Sequence, residues 1–472
     1  MMNIPFIIVI TYIFILFGIS AYARKLASNG SENFILAGRK LTTPLIAVTI
    51  TGLAIGGAST IGVAEQAYNV GLSAGWYNVA WAIGAVIMGL VCAEKYRGMN
   101  VSTVPELFER FYDTKGRIIC VIGQIIIQIA ATSLQYVAGG AILASMLPEI
   151  FTFKTGMLTS AVVFIGITFI GGMWSAGLSN LLNVALIYIG IIIATITTIF
   201  SQGGLHQISL KLPSEIAYLH PVNGLGTFAI VSWIVVMTTQ ALSMQYTVQI
   251  SCSAKNTKTA RNGFIIGGLL MLPIGFLAAL MGIAAKVAFP DISATLALPK
   301  IIMSLHPAVA GLTLAALWAA DVSTACNLLL GSATLFSQDI YKRFINPDID
   351  EKRFTILTKI SVAVLGIFTF VLALTIVGIL KTLMVALSLS TAFTVVFLFT
   401  IFAPSICRKK SAFITTLAGI IVLIAWQLIP AIRIFPHVIY LEWIVCTVTF
   451  CLIPIFDPHP IDAFLEVEAM VE

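Results

Sequence analysis

Long apolar runs follow one another along almost the whole chain, and they restrict its possible folds more than any other feature. Each run is about 18–25 residues long, and none alternates apolar and polar residues as a membrane β-strand does. Hydrophobic residues make up 59% of the sequence and charged residues 10%, whereas soluble domains carry roughly 25% charged residues. A backbone inside a bilayer must satisfy its own hydrogen bonds. The sequence therefore predicts an all-α polytopic membrane protein.

These runs predict about 13 transmembrane helices. The predicted spans are residues 4–23, 44–66, 74–96, 117–147, 156–173, 177–200, 224–250, 262–288, 307–340, 353–377, 379–403, 411–429 and 434–456. The first run lacks the basic segment and cleavage site of a secretory signal peptide, so we expect it to remain as a span.

The net charge of +6 comes from Lys and Arg residues in short loops, so it indicates membrane topology and not nucleic-acid binding. When the loops alternate between two sides, one side holds few basic residues: Lys154, Lys211, Lys286, Lys300, Lys381 and Arg433. The other side holds the rest, and the positive-inside rule places it in the cytoplasm. We therefore expect a multi-pass protein of the cell inner (plasma) membrane, with the N-terminus outside and an acidic tail, 457–472, inside.

Two of the predicted spans carry helix-breaking or polar residues at their centres. The span at 44–66 contains Gly52, Gly56 and Gly57, and the span at 224–250 contains the polar cluster Thr238, Thr239, Gln240, Ser243 and Gln245. The two lie five spans apart, which is typical of the broken helices of a five-plus-five inverted-repeat transporter. The alternative is that glycine-rich helices only pack closely.

An inverted repeat would divide this single membrane domain, 1–472, into consecutive parts. We expect a leading helix with its loop at 1–43, a first repeat at 44–200 and a second repeat at 224–403. Two accessory helices and the short acidic tail would follow at 411–472.

The stretch AALWAADVSTACN, 315–327, places hydroxyl groups inside an apolar span. Ala320, Ser323 and Thr324 are three and four residues apart and share one helix face. A buried Ser or Thr often bonds back to the carbonyl four residues earlier. Alternatively, two hydroxyls and one carbonyl of this helix, with two carbonyls of a broken helix, would supply the oxygen ligands of Na⁺.

The sequence resembles the sodium/solute symporter family from about residue 5 to residue 455. Four segments carry the resemblance: GLTLAALWAADVSTACNLLLGSATLFSQDIYKR at 311–343, FIGGMWSAGLSNLLN at 169–183, TIGVAEQAYNVGL at 60–72 and STVPEL at 102–107. The resemblance implies an inverted-repeat core with one helix before it and two after it. It also implies Na⁺ as the coupling ion, held by the carbonyls of Gly52, Ile55 and Ala320 and by the hydroxyls of Ser323 and Thr324.

Two departures from the family pattern concern a second sodium site. Many members have Thr-Asp where this chain has Ser179 and Asn180, and polar residues where it has Cys326 and Asn327. Because the carboxylate is missing and a thiol is a poor ligand for Na⁺, we expect no second sodium site of that type.

Asp321 is the other departure, since members of the family usually have an apolar residue there. On a helical wheel it lies about 100° from Ala320, beside Thr324. An acid within the membrane costs about 2.5–3.5 kcal/mol even on the gentler insertion scale, so it should face the protein interior or be neutral. Three roles stay open: an influence on the ion, a protonatable relay, or a hydrogen bond to a neighbouring helix.

The resemblance places a substrate cavity between the broken spans and the third span. The corresponding residues are Ser59, Thr60, Asn78, Trp81, Met237 and Gln240. This set is poor in hydrogen-bonding groups, which argues against a sugar. Free N–H groups near Gly56 and Gly57 favour a carboxylate, so a small organic acid or an amino acid is expected. Trp76 and Tyr77 have an alternative role as anchors at the lipid interface.

Together these features predict Na⁺-coupled symport of a small organic solute by alternating access. The alternatives are H⁺-coupled symport through Asp321 and a membrane sensor that retains a transporter-like module; about sixteen residues follow the last span, without a kinase or receiver domain. No HExxH, GxSxG or paired-aspartate motif lies in the spans, so an enzyme is not expected. The expected partners are the solute, Na⁺ and membrane lipid, with no nucleic acid and no obligate protein partner.

Overall fold

The computed structural model describes residues 4–28, 30–375, 379–458 and 460–461, without the side chains of Ile379, Lys381 and Thr382. The predicted side of Lys381, the end of the span at 353–377 and most of the acidic tail, 462–472, lie outside the described residues. Within them the protein is helical, with isolated β-bridges at Leu41–Ala254 and Arg408–Pro460 in place of strands.

The helices follow the apolar runs and the short connections between them. The α-helices are Ile4–Ala27, Ser31–Leu36, Thr43–Ala54, Val63–Val70, Trp76–Val91, Ala93–Gly98, Val104–Phe111, Thr114–Met146, Phe153–Ser201, Gly204–Lys211, Thr227–Ser243, Gln245–Cys252, Thr257–Ala288, Ala297–Met303, Pro307–Thr334, Glu351–Ala373, Ile379–Ser388, Ser390–Phe402, Ser411–Leu428 and Val438–Phe456. Two further segments, Ala58–Gly62 and Leu335–Ile345, are π-helical. Short 3₁₀ turns lie at Ala37–Arg39, Gly71–Gly75, Ala294–Leu296, Pro404–Ile406 and Pro430–Ile432.

Among the described residues, 10 helices are long and apolar enough to cross a membrane, or 11 if one bent pair is counted as a span. One of them, Phe153–Ser201, contains both the fifth and the sixth predicted spans. Its 49 residues would extend about 74 Å as a straight helix, more than twice the thickness of a hydrocarbon core. Gly172, with φ 53° and ψ −137°, interrupts it between the two spans. The exact number of 13 stays a prediction.

Both predicted helix interruptions are confirmed. In the first broken helix (residues 43–70), the segment Thr43–Ala54 ends before Ile55, which has φ −92° and ψ 81°, and the helix resumes at Ala58. In the second broken helix (residues 227–252), Met244 is extended and the two segments meet at a bend of 50°. Each interruption leaves backbone groups without a partner inside their own helix.

The helix Pro307–Thr334, which we call the central helix, lies deepest in the protein. In the membrane-spanning part of Pro307–Ile345, 89% of the residues are buried, compared with 28% in that of the first helix. It packs against helices from several parts of the chain: Ile4–Ala27, Thr43–Ala54, Thr114–Met146 and Phe153–Ser201. The central helix therefore brings residues 320–324 next to the interruption of the first broken helix. The division into two repeats, 44–200 and 224–403, stays a prediction.

Candidate functional site

Ser323 and Thr324 of the central helix contact the last turn before the break in the first broken helix. The hydroxyl oxygen of Ser323 lies 2.6 Å from the carbonyl oxygen of Gly52 and 2.8 Å from that of Ala320. The hydroxyl oxygen of Thr324 lies 3.1 Å from the Gly52 carbonyl and 2.9 Å from that of Leu53. Both hydroxyls thus reach across to another helix, and neither bonds to the carbonyl four residues earlier.

This oxygen cluster contains more acceptors than protons. Each hydroxyl has a single proton and therefore donates to only one of its two neighbouring carbonyls at a time. All the groups are neutral, hard oxygens, and unwound backbone carbonyls of this kind coordinate Na⁺ in transporters with broken helices. The donor set therefore suits a monovalent cation without a buried counter-charge among the ligands.

Ile55 is the predicted ligand that the structure does not bring into this cluster. Within the described residues, neither hydroxyl donates to its carbonyl, and Leu53 occupies the place expected for it. The reason is where the helix ends. A helix that stops at Ala54 leaves its last four carbonyls free of helical bonds, and the first and last of these accept from Ile55 N and from the Ser59 hydroxyl. The carbonyls of Gly52 and Leu53 therefore remain available to the hydroxyls of the central helix.

Asp321 is fully buried and faces the same break. Neither of its carboxyl oxygens has a hydrogen-bond partner in the part of the chain that the structure describes. A Cβ atom added to Gly57 would lie 2.9 Å from Asp321 Oδ1 and 3.4 Å from Gln135 Oε1. The Gly57 amide donates to Gln135 Oε1 at 2.8 Å. Asp321 thus approaches the break closely, and the hydrogen bond to a neighbouring helix that we considered for it is not formed among these residues.

A small cavity opens beside the oxygen cluster, with about 30 Å³ accessible to the centre of a water molecule. Of the predicted substrate residues, Trp81 and Gln240 line it. The other lining residues are Leu53, Ala54, Gly56, Ala58, Tyr77, Ala131, Gln135, Tyr246, Thr324, Leu328, Leu383 and Leu387. Leu53 and Thr324 belong to both the cavity and the oxygen cluster, so the two share residues of two helices.

Four predicted substrate residues do not line this cavity. The hydroxyls of Ser59 and Thr60 are turned to their own helix and donate to the carbonyls of Ala54 and Gly56. Asn78 is buried against Gly275, and the Met237 sulfur accepts from Gln240 Nε2 at 3.4 Å. The sequence places these residues on the right helices, but not on the face that borders the cavity.

Two tyrosines that we did not assign to the substrate line the cavity instead. Tyr246, just after the second break, donates its hydroxyl to Gln240 Oε1. Tyr77 is buried, with its ring 6.0 Å from that of Trp233, so it is not a lipid anchor. The spacing of four residues between Tyr77 and Trp81 puts both on one helix face, which was a usable signal.

The sequence also matches a known family along most of its length. The profile of the sodium:solute symporter family matches residues 34–419. This chain belongs to that family. The family consists of Na⁺-coupled solute transporters and not of enzymes, so Na⁺ is the coupling ion of this symporter and the protein crosses the membrane several times.

Individual relatives agree with this assignment. The symporter is 24% identical to the sodium/proline symporters of Staphylococcus aureus strains bovine RF122 and JH9, over 78% of this chain and 75% of theirs. Its fold resembles a Na⁺-coupled sialic acid symporter in a substrate-bound outward-open state, with a TM-score of 0.82 at 16% identity, over 97% of this chain and 99% of the other. A nucleobase-cation-symport-1 family transporter matches with a TM-score of 0.61 at 13% identity, over 93% and 98%.

Amide side chains lie beside the oxygen cluster of the symporter: Asn180, Asn183 and Asn327. A Cβ atom on Gly52 would lie 2.8 Å from Asn180 Cγ, so this side chain packs directly against the cluster. Asn183 donates to Asn180 Oδ1 at 3.3 Å, and Asn327 donates to the Ser323 carbonyl at 2.8 Å. These amides support the ligand residues without adding charge.

A charged cluster of the symporter lies beyond the central helix, at the end predicted to face the cytoplasm. It consists of Glu109, Arg117, Asp339 and Arg343. Arg117 pairs with Glu109 and, at 2.5 Å, with the buried Asp339, while Arg343 pairs with Glu109 at 2.8 Å. Partial burial alone would raise the pKa of Glu109, but hydrogen bonds from Arg343 and Arg117 lower that pKa to about 2.

Two of the sequence motifs meet at this charged cluster. Thr103 of STVPEL donates to Asp339 of DIYKR at 3.0 Å. Gln245, directly after the second break, accepts from the Val104 amide at 3.0 Å and donates to the Ser102 carbonyl at 3.1 Å. The loop at 102–104 therefore connects the second broken helix to the continuation of the central helix.

Proposed function

We propose that this symporter couples the entry of Na⁺ to the uptake of a small organic solute that carries a carboxylate, either an organic acid or an amino acid. Transport proceeds by alternating access. The observation that carries the proposal is the contact of Ser323 and Thr324 with the free carbonyls of Gly52 and Leu53. An ion held there binds to two helices at once, and it stabilises the arrangement in which they touch.

We assign the Na⁺ ligands as the hydroxyls of Ser323 and Thr324 and the carbonyls of Gly52, Leu53 and Ala320. Coupling follows from the residues that the ion site shares with the cavity, because a ligand that orders shared groups makes the second ligand bind more tightly. Leu53 and Thr324 are those groups. The effect is reciprocal, so solute must also raise the affinity for Na⁺.

A carboxylate-bearing solute is supported by the chemistry of the cavity wall. Ala58, where the first broken helix resumes, lines the cavity, and the positive end of the dipole of that helix favours an anionic group. The amides of Gly57, Ser59 and Thr60 already donate within the protein. Tyr77, Trp81 and Leu328 give the wall a largely apolar surface, which suits a small solute better than a sugar. The relatives are named for proline and sialic acid, both of which are carboxylic acids.

A second candidate function adds proton coupling to the Na⁺-coupled symport, with Asp321 as the proton carrier. The observation in its favour is the complete burial of Asp321 without a hydrogen-bond partner among the described residues. In the sodium-coupled proposal, the same carboxylate instead supplies negative charge near the ion. The two candidates differ in whether a proton gradient adds to the solute uptake that the sodium gradient drives.

We further propose that the protein lies in the plasma membrane with its N-terminus outside and residues 457–472 in the cytoplasm. The distribution of Lys and Arg residues between alternate loops supports this orientation. Membrane lipid and the transported solute are then its partners.

The decisive experiment is uptake into proteoliposomes of the purified full chain. Amino acids, monocarboxylates and sugars are compared with an inward Na⁺ gradient, with an inward H⁺ gradient and with neither. We expect a carboxylate-bearing solute to accumulate only with the Na⁺ gradient. Accumulation that increases when an H⁺ gradient is imposed would establish the second candidate, and accumulation of a sugar without a carboxylate would contradict the proposed solute class.

A further inference from the structure

An open cavity of about 470 Å³ lies between the end of the first helix, Ile4–Ala27, and the start of the helix Glu351–Ala373. It is separate from the oxygen cluster and from the substrate cavity. Its wall carries three basic side chains, those of Arg24, Lys352 and Lys359, and a single acid, Glu351. Such a basic recess between membrane helices has the composition of a site for an acidic head group.

The three cations of this basic cavity outnumber its one carboxylate, so its wall keeps a net positive charge. Glu351 is engaged elsewhere, because its Oε2 accepts from the Ser31 hydroxyl at 2.5 Å and from the Ser31 amide at 3.1 Å. The nearby Asp350 is paired with Arg353 at 3.1 Å. Across the described ranges of the chain, Arg24, Lys352 and Lys359 form no ion pair.

Lys359 is held in position by two aromatic rings. Its ammonium nitrogen lies 5.2 Å from the ring centre of Phe34 and 5.8 Å from that of Phe169. Cation–π contacts of this kind restrain the side chain but leave its N–H groups free to donate. The cavity therefore presents an ordered cation between the helices.

The cavity continues into the lipid-facing surface. Ile356 lines it, and Ile360 and Val364 follow at successive turns of the same helix. Their side chains are 50%, 51% and 59% exposed. Residues four apart form one stripe on a helix, so an apolar track leads from the basic cavity toward the middle of the bilayer.

We propose that this cavity binds an anionic phospholipid, with the phosphate between Arg24, Lys352 and Lys359 and an acyl chain along Ile356, Ile360 and Val364. The head group would join the first helix, outside the predicted repeats, to the helix Glu351–Ala373. The basic cavity also lies at the end predicted to be cytoplasmic, where anionic lipids are enriched. The apolar track is the reason to prefer a lipid over a free phosphate ion.

The test measures lipid binding to the purified full chain in a neutral detergent, by native mass spectrometry and by thermal shift. Phosphatidylglycerol, phosphatidylcholine and inorganic phosphate are titrated separately. Basic residues near a membrane surface contribute roughly fivefold each to the affinity for acidic lipid. We therefore expect the triple variant R24Q/K352Q/K359Q to bind phosphatidylglycerol on the order of 100-fold more weakly than the wild type.

The matched control is the triple variant K115Q/K255Q/K258Q, which removes the same charge from exposed positions on the same predicted side. It should bind phosphatidylglycerol like the wild type. The single variant K352Q changes an exposed residue and keeps the test valid if the triple variant fails to fold; roughly fivefold weaker binding is expected. Unchanged binding in K352Q and in the triple variant would overturn the proposal.

The three ligands separate the sources of the phosphate group. Equal stabilisation by inorganic phosphate and by phosphatidylglycerol would show that the basic cavity takes a soluble anion, and it would overturn the lipid proposal. Equal binding of phosphatidylcholine and phosphatidylglycerol would also overturn the lipid proposal, because the cavity would then not select an anionic head group. These measurements need no transport, so their outcome does not depend on the proposed function.

Discussion

The hydroxyl oxygen of Ser323 lies 2.6 Å from the carbonyl oxygen of Gly52, although the two residues are 271 positions apart. This contact joins the most buried helix of the protein to the last turn before a helix break. If the two helices separate, the hydroxyl and the carbonyl lose each other as partners inside the membrane. An ion that binds both oxygens therefore opposes that separation, which is what a sodium-coupled cycle requires.

Removal of either hydroxyl should weaken Na⁺ binding. We expect Ser323→Ala and Thr324→Ala each to raise the Na⁺ concentration for half-maximal uptake by about 10-fold or more, since a hydrogen-bonding contact to a charged partner contributes roughly 1.5–3 kcal/mol. Thr313→Ala is the matched control, because this hydroxyl on the same helix bonds to the carbonyls of Gly190 and Val309. Equal sodium dependence in all three variants would refute the assigned ligands.

The break in the first broken helix should not tolerate a side chain. In Gly56→Ala the new Cβ would lie 2.3 Å from the Thr324 hydroxyl oxygen and 2.6 Å from Gln135 Oε1. Because interiors are close-packed and this clash displaces a ligand, we expect uptake to fall by more than 10-fold. In Gly18→Ala the new Cβ would meet no atom within 4 Å, so this variant should transport normally. Normal transport by Gly56→Ala would contradict the geometry of the cluster.

Asp321→Asn separates the two roles of the buried carboxyl group. If its charge acts on the ion, removing it should weaken Na⁺ binding by about 10-fold, since charge interactions across several ångströms of protein are worth on the order of 1–2 kcal/mol. The Na⁺ concentration for half-maximal uptake is measured at several pH values between pH 6 and pH 8, about one unit or less apart. Unchanged sodium affinity together with loss of pH dependence would instead support the proton carrier.

Gln240→Ala should affect the solute more than the ion. Gln240 lines the cavity and is held by Tyr246 and Met237, but it is not among the oxygens of the cluster. We expect the KM for solute to rise by about 10-fold, the value of one lost polar contact. Asn78→Ala, outside the cavity lining, serves as the comparison and should leave KM nearly unchanged. A larger effect at Asn78 than at Gln240 would place the solute elsewhere.

The charged cluster should make stability depend on pH at its acid end. The pKa of Glu109 in the folded protein is about 2, below the ordinary glutamate value. A lowered pKa stabilises the fold above the ordinary value of about 4.3, and the stabilisation disappears as the pH falls from there toward 2. The Tm of Glu109→Gln should thus lie below that of the wild type at pH 7, with a difference that shrinks below pH of about 4.5.

The control for this measurement is Glu149→Gln, which changes an exposed glutamate in a turn. Its Tm should follow that of the wild type at every pH. A difference between Glu109→Gln and the wild type that stays constant down to a pH of about 2.5 would contradict the ion pairs of Glu109.

Much of the fold followed from local properties of the sequence. Long apolar runs require helices because a bilayer offers the backbone no other hydrogen-bond partner. Gly56 and Gly57 predicted the first break, and the polar residues from Thr238 to Gln245 predicted the second. The number of spans was harder to predict, because a helix that bends sharply, as at Gly172, has the same local composition as two helices.

The shared face of Ala320, Ser323 and Thr324 was also readable, because it follows from helical geometry alone. The carbonyls that these residues meet could not be read from the sequence. That the hydroxyls contact Leu53 and not Ile55 depends on the residue at which the helix ends and on what its last carbonyls already bind. A sequence predicts such an end only to within a few residues.

The set of residues that line the cavity depended on the tertiary structure to an even greater degree. Trp81 and Gln240 line it, whereas Ser59, Thr60, Asn78 and Met237 lie on neighbouring faces, and Tyr77 and Tyr246 take their place. The sequence by itself determined which helices are broken and which carry polar groups in the membrane, because these are properties of a single segment. The rotation and contact of those helices arise only when segments far apart in the chain pack together, and that packing selected the residues that meet.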